Sequence, residues 1–166
     1  RLRQQLAAPE PLKKRLWKLT VQQKISNQGL LLAMMGKNEQ PMKRWQKEVK
    51  SGDSENREAL ASRYYWGKIF DDQLESFTRD RYGAPPNHWL NYGYALLRAA
   101  TARALVGVGL LPVLGIHHHN QYNPFCLADD IMEPYRPLVD WAVLELLEKG
   151  EPSTVLALED KRHLLQ

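Results

Sequence analysis

The sequence predicts an all-α fold, and three observations carry that reading. Apolar residues recur at spacings near 3.6 in successive segments, no segment shows the strict alternation of a half-buried strand, and Pro and Gly stand where helices begin and stop. From Pro11 to about Met35, Leu12, Leu16, Leu19 and Ile25 are interleaved with Lys, Arg and Gln; Pro11 suits a first turn and Gly36 a C-terminal stop. Residues 41–50 form a short second helix closed by Ser51-Gly52. A third is expected from Ser54, as its cap, to Phe70, with Leu60, Tyr64 and Ile69 on its apolar face. A loop around Gly83–Asn87 precedes a long Ala- and Leu-rich helix, about Trp89 to Gly109, apolar enough to be buried on most sides. After Leu111-Pro112 comes a polar loop, GIHHHNQYN. Asn123-Pro124 reads as a cap and first helical residue, which places FCLADDIME on the next helix. Pro134 and Pro137 interrupt or kink the pattern. A helix from Pro137 to Lys149 then ends at Gly150, and a last short one covers Ala157 to Gln166.

The 166 residues fit one domain, with 43% hydrophobic and 25% charged residues, a globular composition. No apolar run reaches the roughly 18–20 residues of a membrane span, and the charged start RLRQQLAAPEP lacks the apolar core of a signal peptide. A single cysteine, Cys126, fits a reducing compartment, so the expected location is cytoplasmic. The first residue is Arg1 and not Met, which suggests a fragment of a longer protein.

The net charge of +4 conceals an asymmetry. Residues 1–50 hold twelve Lys/Arg against three Asp/Glu, a balance of +9; residues 51–166 hold eleven against sixteen, a balance of −5. A basic helical arm, 1–50, joined to an acidic body, 51–166, suggests a polyanion held by the arm and chemistry performed in the body. A solvated basic helix face is the plain alternative. HExxH, CxxC, GxxxxGK[ST] and GxGxxG are all absent, and so are the paired Glu-x-x-His motifs of a di-metal oxidase bundle.

Asp129, Asp130 and Glu133 cluster at the end of an otherwise apolar helix. At i and i+3, Asp130 and Glu133 emerge on one face; their mutual repulsion is relieved by a divalent cation, or by solvent if the turn is merely exposed. His117, His118 and His119 lie a short loop upstream, and adjacent histidines cannot all face one ion, so one is expected to serve. One imidazole with several carboxylates suits Mn²⁺ well and Mg²⁺ acceptably.

These residues resemble the CRISPR-associated integrase family, the metal-dependent nuclease subunit of the spacer-acquisition machinery. The resemblance rests on Gly115-Ile116-His117-His118, then Asp130 twelve residues after His118, Glu133 three further on, Arg136-Pro137 and Asp140. Glu58-Ala59-Leu60-Ala61-Ser62-Arg63-Tyr64-Tyr65-Trp66, the Asn91–Leu97 helix before Gly-Leu-Leu-Pro, and Lys24-Ile25-Ser26-Asn27-Gln28 extend it over nearly the whole chain, closest to the compact type II branch. The resemblance implies an all-α C-terminal catalytic domain, the family's N-terminal β-rich dimerisation domain being absent from this sequence. It implies Glu58, His118 and Glu133 as direct metal ligands, with Asp130 a fourth ligand or a carboxylate supporting them from behind. The implied reaction is attack of a protospacer DNA 3′-hydroxyl on a CRISPR repeat phosphodiester, with Mn²⁺ or Mg²⁺ as cofactor. The implied partners are DNA, a second copy of the chain and a small CRISPR-associated subunit. Lys13, Lys14, Arg15, Lys18, Lys43, Arg44 and Lys47 would contact DNA phosphates. The rival expectation is a non-catalytic helical module that binds DNA or a protein through its basic stretch.

Overall fold

A computed structural model describes residues 1–150 and 155–165, and its regular structure is entirely helical among them. Helix α1 (Leu2–Leu6) leads into α2 (Glu10–Met34), followed by α3 (Gln40–Glu48), α4 (Arg57–Trp66), α5 (Asn87–Gly107), α6 (Cys126–Met132), α7 (Arg136–Lys149) and α8 (Leu158–Leu165). The last residue expected in α8, Gln166, lies outside the described residues.

The long basic helix α2 runs through the core. Trp17, Val21, Lys24, Ile25, Gln28, Leu31 and Leu32 fall on its buried stripe, and it packs on α3, α4, α6 and α7. It stops where the sequence places a stop. Gly36 takes φ +71°, its N–H donates to Ala33 O at 2.9 Å, and the Lys37 N–H donates to Leu32 O at 2.9 Å. This reciprocal pair satisfies carbonyls that a helix end leaves open. The same device ends α5, at Gly109 with φ +77°.

One buried cluster joins Trp17, Ile25, Trp45, Tyr65, Phe70, Trp89, Tyr94, Met132 and Val143. A smaller one joins Ala102 and Leu105 of α5 to Leu127 and Ala128 of α6. Helices α5 and α7 approach so closely that a Cβ on Gly93 would stand 2.4 Å from Val139 Cγ1, so only glycine fits there. No described helix is long and apolar enough to cross a membrane.

Three expected boundaries move, each for a local reason. Helix α4 begins at Arg57 after Asn56, and Asp53, in place of Ser54, supplies the carboxylate that meets its first N–H groups. The Asp53 carboxylate accepts the Arg57 and Glu58 N–H groups, both at 2.9 Å, while Asp53 and Asn56 turn the chain through positive φ. At its other end α4 stops at Trp66, with Gly67 at the cap; Ile69 and Phe70 are fully buried, but from a turn. Helix α6 starts at Cys126 because Asn123 Oδ1 accepts the Phe125 N–H at 2.9 Å, a turn two residues long that leaves Pro124 outside the helix. Pro134 then ends α6, and Glu133–Tyr135 form a single 3₁₀ turn into α7.

Candidate metal centre

Glu58 lies in the first turn of α4, held there by the Asp53 cap, and Glu133 opens the 3₁₀ turn after α6. Lys24 of α2 reaches between them. Its Nζ stands 2.5 Å from Glu58 Oε1 and 2.6 Å from Glu133 Oε2. The ammonium donates a hydrogen bond to Glu58 and forms an ion pair with the buried Glu133 Oε2. On its other oxygen Glu133 accepts from Arg136 Nε at 2.8 Å. Burial opposes the charge on Lys24, but the two carboxylates outweigh it and raise its pKa. Burial likewise opposes ionisation of Glu133, and Lys24 with Arg136 outweigh it and hold that carboxyl below the usual range. Asn27, one turn along α2, donates from Nδ2 to Pro134 O at 2.7 Å and ties this helix to the turn.

Asp130 is fully buried and differently employed. Its Oδ2 accepts the Ile116 and His117 N–H groups at 2.7 and 2.9 Å; its Oδ1 accepts the His118 N–H at 3.2 Å and contacts His118 Nδ1 at 2.5 Å. The polar loop is thereby wrapped around one carboxylate. Gly115 is needed for this, since a Cβ there would lie 2.3 Å from His118 O and 3.1 Å from Asp130 Oδ2. The hydrogen bond to Asp130 raises the His118 pKa, and Glu133 and Glu58 add to it at longer range, so all three acidic groups bear on this ring. With Nδ1 engaged, Nε2 is the nitrogen left to bind. His117, by contrast, stacks flat on Trp17 with ring centroids 4.0 Å apart.

Behind the centre, Asp140 is buried among Tyr65 and Tyr94, both of which donate hydroxyl hydrogen bonds to it, Tyr65 at 2.7 Å. Burial pushes its carboxyl up to about 6 in spite of those donors. Arg136 lies over the Tyr94 ring, 4.6 Å from its centroid, and so joins this network to Glu133. Asp129 points elsewhere: Arg98 Nε and Asn123 Nδ2 hold its oxygens at 2.7 Å each.

The structure therefore brings Glu58 and Glu133 together on Lys24, and ties His118 to Asp130. Among the described residues no three His, Cys, Asp or Glu side chains are arranged to hold a metal ion; the carboxylates close on an ammonium, and Asp130 is spent on backbone donors. The basic residues distribute over α2 and α3: Lys14, Arg15, Lys43, Arg44 and Lys47 are exposed, Lys13 and Lys18 half-buried. Lys43 pairs with Glu39 at 2.7 Å, and Arg44 reaches Glu48 only at 3.9 Å. Sequence reasoning missed the part Lys24 plays, although a signal existed. A lysine between Val21, Ile25 and Gln28 on an otherwise buried stripe demands a partner in the core. Arg136, for which orienting Glu133 and capping a carbonyl are both open from sequence, is bonded to Glu133.

Comparison with known proteins gives the chain its family. The family model described as CRISPR associated protein Cas1 matches residues 1–155. A CRISPR-associated endonuclease Cas1 of Neisseria meningitidis serogroup C (strain 8013) is 46% identical over 99% of this chain and 54% of its own length. An endonuclease Cas1 2 of Pyrobaculum aerophilum is 35% identical over 63% of this chain and 36% of its own. Among solved structures, a casposase bound to an integration product superposes with a TM-score of 0.81 at 24% identity, covering 97% of this chain and 54% of that one, a likeness of fold. The chain spans about half the length of the Neisseria relative. It belongs to the Cas1 family.

Proposed function

We propose that this chain, as a Cas1 family member, is the catalytic half of a divalent-metal-dependent DNA endonuclease and integrase that inserts new spacers into a CRISPR array. The observation that carries the reading is the convergence of Glu58 and Glu133, from separate segments, on one cation, with His118 tied to Asp130 where both glutamates act on its ring. Carboxylates with one imidazole form a donor set for Mn²⁺ or Mg²⁺.

In this reading Glu58, Glu133 and His118 Nε2 would hold the ion, and Asp130 sets the ring and its tautomer through Nδ1. When bound, Mn²⁺ or Mg²⁺ would supply a lowered pKa for the attacking hydroxyl and offset charge on the phosphoryl oxygens. The protospacer 3′-oxygen forms its bond to a repeat phosphorus as the repeat strand's own P–O3′ bond breaks, so no protein nucleophile is required. Lys13, Lys14, Arg15, Lys18, Lys43, Arg44 and Lys47 bind backbone phosphates, giving a salt-dependent affinity indifferent to sequence. Assembly with a second copy and a small CRISPR-associated subunit, in the cytoplasm, completes the reading.

Lys24 favours one competing reading, a non-catalytic DNA- or protein-binding module in which the ion cluster only holds helices together. Two measurements separate them. Mn²⁺ raises the Tm of the wild-type chain and leaves Glu133→Ala and His118→Ala unmoved. Strand transfer of a pre-cut duplex into a repeat-bearing plasmid, run on the complete protein with its partner subunit, requires divalent metal and is lost in Glu133→Ala. Normal strand transfer by that variant defeats the catalytic reading.

A further inference from the structure

The ammonium of Lys24 sits at the one point shared by the two carboxylates assigned above to the ion. Its distances of 2.5 and 2.6 Å compare with about 2.0–2.1 Å for Mg²⁺ to oxygen. A divalent ion could therefore replace the ammonium if each carboxylate closed by about 0.5 Å. The helix that carries Lys24 is fixed on both sides of it. Trp17, Val21, Ile25 and Leu32 are buried in the core, and Asn27 is bonded to the Pro134 carbonyl. The lysine can thus leave only by swinging its own four-carbon stem, without a helix shift. One ammonium within ion-pair distance of both carboxylates holds the place that a divalent ion bonding both oxygens would take.

We propose that Lys24 is a positioning residue of the centre, a tethered cation that keeps Glu58 and Glu133 converged until a divalent ion displaces it. Glu133 is buried and Glu58 half-buried, and without a counter-cation the two carboxylates repel each other and would splay. With Lys24 between them, the centre stays assembled before metal arrives, and metal binding includes the cost of expelling the ammonium. The proposal rests on the metal-dependent reading above and adds a competitor to it.

The test compares Mn²⁺ binding by calorimetry in the wild-type chain and in Lys24→Met, which keeps the stem and removes the charge. The Kd of Lys24→Met is expected to be tighter by about tenfold or more, 1.4 kcal/mol per decade, and its Tm lower without metal but recovered by Mn²⁺. If Lys24→Met folds poorly without metal, Lys24→Gln, which can still donate to a carboxylate, replaces it. On the wild type, the lysine side-chain NMR signal of Lys24 is expected to shift on titration with Mg²⁺. Equal or weaker Mn²⁺ binding by the variants, or a Lys24 signal indifferent to Mg²⁺ while the ion binds, overturns the proposal and leaves the metal reading standing. Absence of binding by wild type and variants alike overturns both.

Discussion

Asp130 is closed off by the N–H groups of residues 116–118 and the His118 ring, whereas Glu133, three residues on, is held by the cations of two side chains, Lys24 and Arg136. Both carboxylates are buried. The first is saturated by directional backbone donors that cannot leave without unfolding the loop, which makes it a fixed part of the scaffold. The second is balanced by long, flexible side chains whose charge matters more than their geometry, so its partners can be exchanged. A carboxylate held by the backbone supports a site; one held by exchangeable side chains can be the site.

The contrast is most easily broken at Asp130. Asp130→Ala strands three backbone N–H groups and the His118 ring, and is expected to cost roughly 3–5 kcal/mol in urea unfolding, about 10 °C of Tm for a chain of this size. Glu133→Gln keeps the shape and leaves Lys24 its Glu58 partner, with an expected cost of about 1 kcal/mol. Equal losses from the two would erase the distinction.

Asp53 offers a milder version of the saturated case, with two backbone N–H groups at the start of α4. Asp53→Ala is expected to cost about 1–2 kcal/mol, and to weaken Mn²⁺ binding as well, because the same turn presents Glu58. Ser54→Ala, the cap expected from sequence, is expected to cost little by the same unfolding measurement.

A pH dependence sharpens the comparison with a third buried carboxylate. Asp140 has a pKa of about 6 against an ordinary 3.8, so the folded chain holds a proton that the unfolded chain has released. Its contribution to stability is complete below about pH 4 and is lost as the pH rises through 6. The difference in unfolding free energy between wild type and Asp140→Asn, followed from pH 4 to 7, is expected to move against the wild type as pH rises. A flat difference would show that burial does not govern this group.

Much of the architecture was readable in advance because its causes are local. Gly36 ends α2, Gly109 follows the end of α5, and Pro134 breaks α6 from α7; each acts through its own φ or its missing N–H. The spacing that singles out His118, Asp130 and Glu133 also proved spatially meaningful, since His118 and Asp130 touch and Glu133 lies on the next turn. The errors arose where two local solutions competed. Ser54 and Asp53 are both good caps, and the left-handed turn at Asp53 and Asn56 selected the aspartate. Asn123 satisfied its neighbour two residues on and gave up the helix start. The basic stretch was legible as charge; that the same helix would carry the core stripe and deliver Lys24 to the acidic centre was not.

By itself, then, the sequence determined the helices, the stops of α2 and α6 and the loop that folds back on Asp130, because φ preferences, apolar periodicity and donors within a dozen or so residues act over short range. Tertiary structure alone decided that Lys24, Glu58 and Glu133 would share one point. Those three come from segments far apart in the chain, and only the packing of α2 against α4 and the turn after α6 sets the distance between their charges. A periodic pattern shows that a lysine lies on a buried face, but the opposing face supplies its partner.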